Sequence, residues 1–196
     1  MSYSPKFERA LIFATRLHID QVRKKSDTPY IMHLLAVASI VADYGGDEEQ
    51  VIAGLLHDSV EDQGGRPTLN TVRGRFGPRV ARIVEACTDS FETPKPPWQE
   101  RKRAYVEHVK GAREDELLVS AADKLHNARS IVAEQRRVGN RAFQRFNARR
   151  VDVLWYYSAL VRAFAKRNRT PLVDELDRTV REMRRLARRG AAAPRL

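Results

Sequence analysis

Apolar residues recur every three or four positions along almost the whole chain, and nowhere do they alternate in twos. Phe7, Leu11, Ala14 and Leu17 set the pattern over residues 4–19, the spacing that gathers side chains on one helix face. A polar turn, RKKSDT, interrupts it. Thr28 then predicts an N-cap with Pro29 at the first helical position, and Gly45–Gly46 ends that helix. Asp47 caps the next, with Gln50 three residues on in capping-box spacing, and this helix is expected to run on through Asp62. QGGRPT breaks it, a short helix follows from Thr68 to Phe76, and Gly77–Pro78 precedes another over 79–88. Three prolines in DSFETPKPPWQ forbid a helix there. Helices are expected again over 99–112, 114–133, 140–165 and 171–189, before a fraying tail, GAAAPRL. With no strand pattern and no internal repeat, the expected fold class is all-α, a single helical bundle.

The 196 residues suffice for one sizeable core. One cysteine, Cys87, excludes an internal disulfide framework and fits a reducing compartment. The N-terminal MSYSPKFERALIF lacks the basic-then-apolar form of a signal peptide, and the apolar stretches are shorter than a membrane span. A soluble, cytoplasmic protein with no membrane partner is expected. Charge is unevenly placed: residues 1–128 hold 18 basic and 19 acidic side chains, residues 129–196 hold 18 basic and 6 acidic. Such a basic third can be a solvated arginine-rich surface, draw an anionic substrate, or bind nucleic acid. Without clustered aromatics or a nucleic-acid motif, the last is the least favoured.

The chemistry concentrates in VIAGLLHDSVEDQ. His57, Asp58, Glu61 and Asp62 crowd the end of an otherwise apolar helix, three and four positions apart. Carboxylates this close repel unless a cation or strong donors compensate, and a divalent metal answers that problem. By itself the pair reads more simply as a solvated helix end. Two further segments change the balance. His33 stands within the apolar run of TPYIMHLLAVASIV, and Asp123 within ELLVSAADKLHNARSIV, with Asn127 four residues later. Together they make a two-histidine, two-carboxylate set on three helices, the way helical bundles build metal centres.

The order His33, His57–Asp58, Asp123 resembles the HD-domain metal-dependent phosphohydrolases. RKKSDTPYIMH, LLHDSVED, FGPRVARIVEACTD, ERKR and ADKLHNARS resemble successive motifs of the alarmone hydrolases, the hydrolase domain of bacterial stringent-response enzymes and its small stand-alone relatives. The resemblance runs from about residue 6 to 165. It implies an HD domain over residues 1–170, with the arginine-rich helix and tail of residues 171–196 part of the same domain. It implies His33, His57, Asp58 and Asp123 as metal ligands, with Mn²⁺ the usual ion. Mixed imidazole and carboxylate donors suit that metal. Glu61 and Asp62 match the paired acids that position and activate the attacking water.

The implied reaction removes the 3′-pyrophosphate from guanosine tetra- or pentaphosphate, leaving GDP or GTP. The implied partner is therefore a small anionic nucleotide. Arg23 and Lys24 match the family's basic pair before TPYI, and Lys25 adds a third charge. Asn127 matches a nucleoside-contacting position, and Arg150 stands where the family has an arginine near the substrate. The proline-rich loop carries Lys95 and Trp98, the latter where some relatives place a phosphate-contacting lysine. Leu154 stands where an aromatic side chain could stack on a base. Only about 30 residues follow residue 165, too few for a synthetase half, so degradation is the expected direction. The competing readings are an HD phosphohydrolase acting on an adenosine alarmone or phosphorylated dinucleotide, and a basic helical nucleic-acid-binding protein.

Overall fold

Ser4 caps the first helix, α1 (Pro5–Leu17), its hydroxyl accepting from the Lys6 amide at 3.2 Å with Pro5 at the first helical position. The computed structural model describes residues 3–24, 26–92 and 94–192, which are helical apart from loops and one isolated bridge, Val22 to Pro29. The order continues α2 (Ile31–Asp43), α3 (Glu48–Leu56), α4 (Ser59–Asp62), α5 (Gly65–Phe76), α6 (Pro78–Cys87), α7 (Trp98–Gly111), α8 (Glu114–Val138), a 3₁₀ segment (Gly139–Arg145), α9 (Arg150–Arg167) and α10 (Pro171–Ala192). The all-α expectation holds. No described helix is long and apolar enough to cross a membrane.

Several boundaries differ from expectation, each for a local reason. Asp47 and Gln50 form the full capping box foreseen for α3. The helix before it starts at Ile31, not at Pro29. The Arg23 amide donates to the Thr28 carbonyl at 2.9 Å and Tyr30 to Gln21 at 2.8 Å, so a hairpin-like turn consumes the residues expected to cap and open α2. The helix from Asp47 does not run through to Asp62. It stops at Leu56 because side chains claim its last carbonyls: His57 Nδ1 lies 2.8 Å from the Gly54 oxygen, and Ser59 Oγ donates to Leu56 at 2.6 Å. The expected helix over 140–165 is two elements, the 3₁₀ segment and α9. The tail was expected to fray from Gly190, yet α10 continues to Ala192; residues 193–196 lie outside the described residues.

The chain divides into two compact units, Met1–Pro96 with Ala112–Asp123, and Pro97–Gly111 with Lys124–Leu196. In the first, α2 and α3 pack along Leu34, Val37, Val41, Ile52, Leu55 and Leu56, all fully buried or nearly so. Gly54 permits the approach: a Cβ there would sit 3.1 Å from the Ala38 Cα. Truncating a leucine such as Leu55 in this core costs about 2–5 kcal/mol. In the second unit, α9 buries Tyr156, Leu160 and Phe164, and α10 buries Leu172, Leu176, Val180 and Met183. The opposite side of α10 exposes Arg178, Arg184, Arg188 and Arg189, so the basic excess of the sequence is in large part solvent-facing surface.

Candidate metal and hydrolytic site

His33 leaves the first turn of α2, Asp58 stands between α3 and α4, and His57 closes α3, while Asp123 comes from α8. All four belong to the first unit. Both histidines and Asp123 are at most 5% exposed, so three ionisable groups are taken out of water together. One ligand atom each from His33, His57 and Asp58 lies within 4.8 Å of the others, and Asp123 borders both histidines. His57 Nε2 lies 2.9 Å from Asp58 Oδ2 and 3.5 Å from Asp123 Oδ1, and His33 Nε2 lies 3.4 and 3.2 Å from the same two oxygens. The two imidazoles meet edge to face, centroids 5.1 Å apart.

These distances fit the shell of a divalent cation. Ligand bonds of about 2.1 Å, at angles between square and tetrahedral, put neighbouring donor atoms about 3.0–3.4 Å apart. His57 supplies a second test. A carbonyl oxygen only accepts, so the contact to Gly54 places the proton on Nδ1 and turns the Nε2 lone pair inward. That buried Nε2 has no hydrogen-bond partner despite the nearby carboxylates. Electrostatics agree. Burial disfavours charge on His57, yet Asp58 and Asp123 outweigh it and raise its pKa well above the ordinary value, while Asp58 is held well below its own against the cost of burial. The cluster demands positive charge at its centre. Two neutral imidazoles and two carboxylates carry two negative charges, which one divalent ion balances.

Around this centre, Tyr30 donates from Oη to Asp58 Oδ2 at 2.6 Å, and burial followed by the charge of Asp58 pushes the phenol's pKa up, so it stays a donor. Glu61 and Asp62 lie on α4, one turn on from His57 and Asp58. Glu61 Oε1 takes Lys95 Nζ at 2.8 Å and its Oε2 takes the Asp89 amide at 3.3 Å. Asp62 Oδ2 takes Gln21 Nε2 at 2.9 Å, with Lys95 Nζ 3.9 Å from Oδ1. Burial pushes both carboxyls up, with Asp89 and Asp58 adding for Glu61 and Asp58 for Asp62. A carboxylate with a raised pKa is a better proton acceptor.

Of the residues expected to meet substrate, Arg23 sits with its guanidinium 5.7 Å from the Tyr30 ring centre, on the turn that leads to α2. Lys24 is exposed on the same turn, and Lys25 lies outside the described residues. Asn127 follows Asp123 by one helical turn on α8, half-buried, and Arg150 opens α9; both fall in the second unit. Lys95 is bound to Glu61, and Trp98 opens α7, where its ring meets the edge of Tyr156. Sequence reasoning gave no role to Tyr30, Gln21 or Asp89. Tyr30 had a signal, standing three residues before His33; Gln21 had none, because its partner is 41 positions away.

A family model described as HD domain matches residues 10–153. The guanosine-3′,5′-bis(diphosphate) 3′-pyrophosphohydrolase MESH1 of Homo sapiens is 43% identical over 122 residues, which are 61% of this chain and 65% of that protein. A probable guanosine-3′,5′-bis(diphosphate) 3′-pyrophosphohydrolase of Synechocystis is 37% identical over 139 residues, 66% of this chain but 18% of that protein. The chain thus spans less than two thirds of these relatives' lengths. Among solved structures, a metazoan orthologue of SpoT described as hydrolysing ppGpp superposes with a TM-score of 0.77 at 28% identity, covering 93% of this chain and 97% of that one. A Listeria monocytogenes protein superposes at 0.68 with 31% identity, covering 81% and 99%.

Proposed function

Because the chain belongs to the HD-domain family, we propose that it is a metal-dependent hydrolase that removes the 3′-pyrophosphate of a (p)ppGpp-type nucleotide, releasing pyrophosphate and GDP or GTP. The observation that carries this reading is the convergence of His33, His57, Asp58 and Asp123 with a paired acid one turn away. The names of the relatives supply the substrate. The four residues hold one divalent ion, Mn²⁺ in this proposal. When bound, it supplies Lewis acidity and neutralises charge that builds on the phosphoryl oxygens.

The protein's own groups do the rest. Asp58 is aimed by Tyr30, and His57 by the Gly54 carbonyl. Glu61 and Asp62 hold the attacking water and take its proton as its oxygen bonds to phosphorus; the bond from phosphorus to the 3′ oxygen breaks, and the acid pair passes that proton on to the 3′ oxygen, which leaves as a hydroxyl. Lys95 opposes the upward push of burial on Glu61 and so favours its proton-accepting form. Arg23 and Lys24 meet the anionic phosphates; Asn127 and Arg150 keep the roles the resemblance implies for them, at the ribose and near the substrate. As a soluble enzyme of a small cytoplasmic nucleotide, it needs neither membrane nor nucleic acid.

The test is a panel of guanosine and adenosine 3′-pyrophosphates, dinucleotides and simple nucleotides incubated with the Mn²⁺-loaded protein. Pyrophosphate release from the guanosine 3′-pyrophosphates, at the highest rate in the panel, is expected. Turnover of an adenosine or dinucleotide substrate with the guanosine compounds untouched overturns the substrate and leaves the metal site standing.

A further inference from the structure

One string of polar groups beside the site has no part in the chemistry above. Gln21 Nε2 donates to Asp62 Oδ2 at 2.9 Å, while Gln21 Oε1 lies 2.7 Å from Gln63 Nε2 and 2.6 Å from His18 Nδ1. The carboxylate fixes the polarity of the whole string. It only accepts, so the Gln21 amide nitrogen must face Asp62 and the amide oxygen must face the other two. His18 then carries its proton on Nδ1.

Each member is itself held. His18 is 2% exposed and stacks on Tyr30, centroids 5.4 Å apart at 18°. The Gln21 amide donates to the His18 carbonyl at 3.1 Å, and its carbonyl accepts from the Tyr30 amide at 2.8 Å. The same tyrosine donates to Asp58. The backbone turn that orients the metal cluster's Asp58 therefore also fixes the glutamine that reaches Asp62.

The two acids are held differently as a result. Both oxygens of Glu61 are engaged, by Lys95 and by the Asp89 amide. Among the described residues Asp62 is gripped by a hydrogen bond at Oδ2 only, and Lys95 stands off its Oδ1 at 3.9 Å. From this geometry we infer that Gln21 is a positioning residue for Asp62. Buttressed by His18 and Gln63, it fixes the rotation of that carboxylate so that Oδ1 faces the attacking water. The inference rests on the reading that Asp62 serves that water, and it adds the group that aims it.

The test is a double-mutant cycle on the Mn²⁺-loaded protein, with the nucleotide turned over fastest in the panel. Gln21→Leu removes the donor, and Gln21→Glu keeps the shape but sets a carboxylate against Asp62. Gln21 is only half-buried, so both variants are expected to fold, which bound metal and melting temperature check. Each should lower kcat by about 10- to 100-fold with KM and metal content unchanged, the glutamate by more. In an Asp62→Ala background, Gln21→Leu should change kcat by less than about twofold. Wild-type kcat in Gln21→Leu, or the same fall repeated in the Asp62→Ala background, overturns the positioning role and leaves the acid pair intact. Full activity of Asp62→Ala itself overturns both, so the two failures are distinct.

Discussion

The first unit contains two clusters of ionisable side chains built from similar materials to opposite effect. In one, Arg79 reaches Asp47 at 2.7 Å, Asp115 at 3.0 Å and Glu49 at 3.4 Å, and Arg82 reaches Asp115 at 2.7 Å and contacts Glu116. Donors face acceptors throughout, and the cluster ties the starts of α3 and α8 to α6 with nothing further required. In the other, His33, His57, Asp58 and Asp123 present lone pairs and negative charge to one another across 2.9–3.5 Å. The carboxylates alone do not mark the site, since both clusters have them. What marks it is that these carboxylates face the two histidines, where those of the other cluster face arginines.

The sharpest way to break this contrast is Asp58→Ala, which should abolish both metal uptake and turnover. Unchanged metal content by elemental analysis would remove the ligand assignment. Next in size, Glu61→Gln with Asp62→Asn should keep the metal and lower kcat about 10²–10⁴-fold, since only the water's proton acceptors are altered. Tyr30→Phe should weaken metal binding or activity by about 10- to 100-fold, because it deletes the donor that orients Asp58; metal titration of the variant measures it.

The other cluster should respond in stability alone. Arg82→Met leaves Asp115 and Glu116 short of a partner and should cost about 1–3 kcal/mol in denaturant unfolding, with metal content and kcat unchanged. The smallest effect is in pH. Hydrogen bonds from Arg82 and then Arg79 hold Asp115 below the usual carboxylate range. Its stabilising contribution is therefore complete above the unfolded-state pKa of about 3.9, and is lost as the pH falls through the depressed folded value. Stability that Arg82→Met removes equally at neutral and strongly acid pH would contradict this.

Much of this contrast was legible beforehand, but unevenly. The Asp47–Gln50 capping box was readable because every group in it lies within one turn. The two histidines and two carboxylates were readable as polar intruders in apolar runs. The break between α3 and α4 was not, since the apolar pattern continues across it and the hydrogen bonds of His57 and Ser59 to preceding carbonyls decide the matter. Nor was the displaced start of α2, where pairing of Val22 with Pro29 overrode a favourable proline and threonine.

By itself, then, the sequence determined the helical class, the apolar faces and the inventory of metal-ligating side chains, because these depend on neighbours within one or two turns. Tertiary structure decided that the inventory becomes a site. The close approach of α2 to α3 at Gly54 and Ala38 brings His33 to His57, and the fold carries Asp123 and Gln21 to partners far along the chain. Periodicity cannot encode such meetings, because they depend on how separate helices pack.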